Sequence, residues 1–136
     1  MAPTLQGLDH IHVFVTNRAS AEEWYARVMG LQRDAKFESW TTDRGPLTIG
    51  NVSGTVHLAL FERPIEKCRS VIAFNTTSAE FLAWQTHLTK VFGRIIEAVD
   101  HDLAWSLYFT DPDGNPFEIT SYEYQSLKSV IGQPGV

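Results

Sequence analysis

The feature that most constrains this chain is an internal repeat. The pattern N-x-x-S-A-E begins at Asn17 and again at Asn75, 58 residues later, in a chain of 136. Each copy follows an apolar extended run, "IHVFVT" and then "VIAFNT", and each opens a stretch with helical signals. Self-similarity at so long a period points to one supersecondary unit built twice. In the first copy Ser20 and Glu23 have the spacing of a capping box, Trp24, Val28 and Leu31 recur at helical intervals, and Gly30 offers a stop. In the second, Thr77 and Glu80 form the box, Phe81, Trp84, Leu88 and Val91 the apolar stripe, and Gly93 the stop.

After each predicted helix the chain returns to short strand-like runs. These are "LQRDAKFESW", "GPLTIGN" and "GTVHLALFE" in the first half, and "RIIEAVD", "AWSLYFT" and "NPFEITSY" in the second. Turn chemistry separates them at Gly45-Pro46, at Ser53-Gly54 and in the "DPDGNP" loop. The expected fold is therefore α+β, with two βαβββ modules in one domain spanning residues 1–136. Module 1 covers about 7–63 and module 2 about 68–124. One helix covers the outer face of each four-stranded sheet, and joining the two gives a curved mixed sheet around a cleft.

The stretch "LDHIHVFV" places chemistry on that scheme. Side chains alternate along a strand, so Ile11, Val13 and Val15 pack beneath the helix while His10, His12 and Phe14 share the opposite face. The same alternation sets His57, Ala59 and Phe61 against Val56, Leu58 and Leu60.

Composition excludes several function classes. The net charge is −5, and no Lys/Arg cluster forms a phosphate-binding stripe, so no nucleic-acid partner is expected. Cys68 is the only cysteine, which rules out an internal disulfide framework and suits a reducing compartment. "MAPTLQG" has no signal-peptide character, and no apolar run approaches the ~20 residues of a membrane helix. A soluble cytoplasmic protein without a membrane partner is the expectation. There is no G-x-G-x-x-G, P-loop or G-x-S-x-G, and "DPDG" without the rest of a calcium loop reads as a turn.

Three segments together resemble the vicinal oxygen chelate superfamily, which includes glyoxalase I, extradiol dioxygenases, fosfomycin-resistance thiol transferases and bleomycin-resistance proteins. They are "LDHIHVFVTN" leading into "EEWYARVMGL", then "GTVHLALFE", and finally "WSLYFTDPDGNPFEI", together spanning about residues 7 to 122. The resemblance implies a divalent metal ion, Fe, Mn, Ni or Zn, in the cleft. It matches His10 to the first-strand histidine ligand, Glu118 to the closing-strand glutamate, and His57 to a ligand on the fourth strand. The fourth position departs from the pattern. Aligning "VIAF" puts Val71 where a ligating histidine often stands, whereas the 58-residue offset from His10 puts Cys68 there. The first register is preferred because it sets Ile72 and Phe74 under the helix.

His12, about 6 to 7 Å from His10 along the strand, is the expected proton-transfer residue. His101, Trp105 and Tyr108 are further candidates for the cleft, although exposure for His101 and core packing for the aromatics are the simpler expectations. Two functions are weighed. One is a metal-dependent lyase, isomerase or dioxygenase acting on a small substrate with neighbouring oxygens; lyase or isomerase chemistry is expected ahead of an extradiol dioxygenase or a fosfomycin-type thiol transferase, either of which would resemble its family more closely with a histidine where Val71 lies. The other is a metal-free small-molecule binding or sequestration protein of the bleomycin-resistance type. The resemblance also implies a homodimer.

Overall fold

The computed structural model describes residues 6–64 and 70–131. Cys68 lies outside them, as does the end of the C-terminal segment. The described chain forms two compact units, one on either side of the boundary between residues 67 and 68. Each is an independent βαβββ arrangement, as the repeat predicts.

The first unit runs β1 (Ile11–Val15), α1 (Arg18–Met29), β2 (Gln32–Arg33), a 3₁₀ segment (Ala35–Trp40), β3 (Leu47–Gly50) and β4 (His57–Glu62). Its sheet order is β1-β4-β3-β2. The first and last strands of the module meet in parallel, Ile11 beside Leu58, and β4 returns antiparallel along β3. Val13, Val15, Leu47, Ile49, Leu58 and Leu60 make the sheet's buried face. Ala21, Tyr25, Val28 and Met29 of α1 are buried as well, so Tyr25 and not Trp24 continues the apolar stripe.

The cap of α1 also differs from expectation. Asn17, three residues before Ser20, is the N-cap, and its side chain accepts from the Ser20 amide. Asn is as good an N-cap as Ser, and starting one turn earlier leaves Ser20 inside the first turn. The helix ends where Gly30 adopts φ 68°, a left-handed conformation that glycine tolerates without cost. The run 31–40 is only briefly a strand. Asp34 accepts from the Lys36 amide and turns the chain into the 3₁₀ segment, which Arg33 holds through Glu22 and Glu38.

The second unit runs β5 (Ile72–Asn75), α2 (Ser78–Phe92), β6 (Val99–Asp100), β7 (Trp105–Thr110), β8 (Pro116–Ser121) and α3 (Tyr124–Ile131). Its sheet order, β5-β8-β7-β6, repeats that of the first. Ile72 pairs with Phe117 and the Phe74 ring stacks on Phe117, as the register that placed Val71 opposite the helix face requires. Thr77 caps α2, its side chain accepting from the Glu80 amide, and Gly93 closes it at φ 66°. Phe81 and Leu88 carry the buried stripe.

The run 94–100 yields only a two-residue strand. After β8 the chain forms helix α3, which buries Leu127 and stacks Tyr124 on Trp105. The "DPDGNP" loop is a self-contained turn. Buried Asp111 accepts from the amides of Asp113 and Asn115 and from the Asn115 side chain, while Gly114 takes φ 86°. That carboxylate is occupied in shaping the β7–β8 connection. Among the described residues no helix is long and apolar enough to cross a membrane.

Candidate functional site

In the first unit the polar side chains gather on the sheet face away from α1. His10 Nδ1 donates to Asp9 Oδ2 at 2.7 Å, and His10 Nε2 lies 3.1 Å from His12 Nε2. The backbone spacing of residues 10 and 12 keeps their Cα atoms apart, but the rings lean together with centroids 5.1 Å apart. The His12 ring also rests on Phe61 at 4.7 Å, and Phe61 meets Phe14 edge to face at 6.3 Å. Both histidines are exposed.

His57 shares the sheet but has other partners. Its Nε2 is 3.4 Å from Asp34 Oδ2, and Phe37 meets its ring edge-on. Gly50, paired with it on β3, makes the space: a Cβ there would come within 2.9 Å of His57 Cδ2. His57 and Glu118 do not occupy equivalent register positions in their two units. His12 pairs with Ala59 in the first unit, and Ala73 pairs with Glu118 in the second. Counting from the first residues of β1 and β5, the counterpart of Glu118 is therefore Ala59, and that of His57 is Pro116.

In the second unit Glu118 is half-buried, and its Oε2 accepts from the buried Ser106 hydroxyl at 2.6 Å. Ser106 in turn meets Thr120, whose hydroxyl donates to the Trp105 carbonyl. Across the ladder Glu118 pairs with Tyr108. The Tyr108 hydroxyl is 2.8 Å from His101 Nε2. Partial burial, and then the Glu118 charge, push the Tyr108 phenol above its usual range and keep it protonated. Among the described residues no Lys or Arg forms an ion pair with Glu118, so hydroxyls alone meet its charge. Val71 is exposed where a histidine was sought.

The histidine and carboxylate side chains thus meet in pairs. Among the described residues no three such groups stand together in an arrangement that holds an ion. In donor chemistry they nonetheless suit a divalent cation. His10 presents Nε2 with its other nitrogen held by a carboxylate, and Glu118 is a half-buried carboxylate with no cationic partner among the described residues. Sequence reasoning missed Asp9 as the partner of His10, Asp34 as that of His57 and Ser106 as that of Glu118, and it named His101 and Tyr108 without their contact. Only Asp9, adjacent to His10, left a local signal.

Two βαβββ units with this strand order define a class of protein, and comparison with known proteins identifies it. The chain belongs to the Glyoxalase/Bleomycin resistance protein/Dioxygenase superfamily, whose family model matches residues 7–119. It is 31% identical to the metallothiol transferase FosB of Staphylococcus haemolyticus (strain JCSC1435), the match covering 85% of this chain and 83% of that protein. FosB of Staphylococcus epidermidis is 30% identical over the same shares. A glyoxalase/dioxygenase from Nostoc punctiforme shares the fold with a TM-score of 0.66 at 20% identity, covering 90% of this chain and 95% of that one. The fosfomycin resistance protein FosX from Listeria monocytogenes, complexed with Mn(II) and sulfate, shares it at 0.64 and 17%, covering 93% and 98%.

Proposed function

We propose that this protein is a divalent-metal-dependent enzyme acting on a small oxygen-bearing substrate, with His10 and Glu118 among the metal ligands. The observation that carries the reading is the Asp9–His10 hydrogen bond. A carboxylate on Nδ1 selects the tautomer whose Nε2 lone pair points outward, the usual arrangement of a metal-binding imidazole. The name of the FosB relatives, metallothiol transferase, supports metal dependence and favours thiol transfer over the lyase or isomerase chemistry expected from the resemblance alone.

The bound ion would supply Lewis acidity toward a substrate oxygen. Ser106 orients the Glu118 carboxylate and leaves it acceptor-only. Tyr108, kept protonated, offers a phenolic O–H beside that carboxylate, and His101 fixes its direction. His57, engaged by Asp34, stands outside this ligand set.

Elemental mass spectrometry of the purified chain tests the reading. About one transition-metal ion per chain, lost in both His10→Ala and Glu118→Gln, is the expected result. Turnover of fosfomycin with a thiol, abolished by a chelator and restored by the ion, would then place the substrate. A second reading, sequestration of an apolar ligand, draws on the aromatic contacts of Phe14, Phe61 and His12. It predicts ligand binding that survives the chelator in a chain without metal.

A further inference from the structure

We propose that residues 35–46 form a strap that lifts as one unit from the first sheet, latched by Arg18, and that its lifting uncovers His57, Thr48 and Ala59 on the sheet face that also carries His10 and His12. That the strap gates a site rests on the proposed function; that it opens does not.

Strand β3 is buried on both of its faces. Leu47 and Ile49 belong to the helix side, whereas Thr48 and Gly50 pair with Ala59 and His57 on the side away from α1. Within the first unit it is the 3₁₀ segment that lies against that side, packing on β3 and setting the Phe37 ring edge-on to His57 at 5.8 Å. Cover and floor are built differently. Thr48 and Ala59 are buried, yet no residue from 35 to 46 is. A 3₁₀ run has poorer hydrogen-bond geometry than an α-helix, and Phe37, at φ −106° and ψ 15°, interrupts this one. A segment with few buried apolar contacts and solvent-exposed hydrogen bonds opens at a free energy well below that of the core beneath it.

Polar contacts hold the strap at both ends. At its start Asp34 caps the 3₁₀ segment, and Arg33 reaches Glu38 at 2.8 Å in an exposed ion pair that contributes little. At its finish Arg18 Nη1 donates to the carbonyls of Thr42 at 2.7 Å and Gly45 at 2.8 Å. The Arg18 amide is fixed by Glu62, so the latch stays with the sheet when the strap moves. Gly45 lets the latch close: a Cβ there would run into the Trp40 carbonyl oxygen.

The test is native-state hydrogen exchange of the full chain, read by mass spectrometry, together with the rate at which diethyl pyrocarbonate modifies each histidine. Amides of 35–46 should exchange ahead of those of β3 and β4. Arg18→Met should speed the strap further by about tenfold or more, as expected when hydrogen bonds from a charged donor are lost. Gly45→Ala should act on the same segment from its other side. In both variants His57 should react faster with the reagent, while His10 and His12, already exposed, react as in the wild type and β1 and β4 exchange unchanged.

A wild-type strap that exchanges as slowly as β3 would be a fixed layer of the sheet and would overturn the inference. So would an Arg18→Met strap that exchanges as in the wild type, or a faster strap with no change at His57. Failure of the wild type to take up metal, with the strap opening as described, would overturn the proposed function and leave the opening standing. Circular dichroism of both variants separates release of the latch from loss of fold.

Discussion

Tyr108 shows how one residue's surroundings set its chemistry. Partial burial and the charge of Glu118, its cross-strand neighbour, both oppose formation of tyrosinate. Its folded pKa is therefore raised above the ordinary value of 10.0. A raised folded pKa means that the stabilising contribution is fully present below the unfolded pKa and is lost as pH rises through the folded one. The Tyr124 phenol is raised as well, through its hydrogen bond to Asp100, so spectrophotometric titration near the tyrosinate band should show late-ionising phenols of which Tyr108→Phe removes one and leaves that of Tyr124. Glu118→Gln should move the Tyr108 phenol back toward the ordinary range, since a neutral amide no longer repels tyrosinate. Little of this was legible in the sequence. Alternation placed Glu118 on one face of its strand, but Tyr108 and His101 come beside it only through the β7–β8 register and the loop before β7, neither of which a strand's own pattern specifies. The shared face of His10 and His12 was legible, because a two-residue period needs no partner. The meeting of their ring nitrogens was not, because it depends on rotamers that Phe61 and Asp9 select.

At the scale of elements, the two units solve the same problem twice. Each helix that follows a parallel-paired strand starts against a glutamate from just beyond, or at the end of, the module's last strand. The Arg18 amide donates to Glu62, and the Ser78 amide donates to Glu123. The first amides of a helix have no intrahelical acceptor, and an anion at that end also meets the positive pole of the helix dipole. Contact with Ser78 draws the Glu123 pKa below the ordinary 4.5. A lowered folded pKa stabilises above the unfolded value and is lost as pH falls through the folded one. Glu123→Gln should therefore flatten the acid limb of the stability profile, read by denaturant unfolding at a series of acidic pH values. Thr77→Ala at the neighbouring cap should cost about 1 kcal/mol at any pH. These glutamates escaped the sequence reading because they act across more than forty residues, whereas the Thr77 and Glu80 pair announces its cap within four. The same distinction explains Asn17. The repeated N-x-x-S-A-E drew attention to Ser20, but the strand's last pairing at Val15 lets the helix begin at once and leaves Asn17 to cap it.

For the whole molecule, the repeat carried the architecture because each βαβββ unit buries its own apolar face and is specified by local periodicity. Function was less legible, since one scaffold serves several reactions and the choice rests on a few polar positions. Val71 is the clearest case: an apolar residue that suits a strand says nothing about which side chain replaces the missing ligand. Ligand linkage reads that replacement out on the scale of the entire chain. An ion that binds only the folded protein raises its stability by about 2.7 kcal/mol when present at a hundred times its Kd. For a chain of this size that is a rise of several degrees in thermal midpoint. Zn(II) or Co(II) should produce this rise in the wild type and in His57→Gln, and His10→Ala should abolish it. Differential scanning calorimetry with and without the ion measures both arms. A rise that persists in His10→Ala would locate the cation away from the Asp9–His10 pair and remove the observation on which the metal-dependent reading stands.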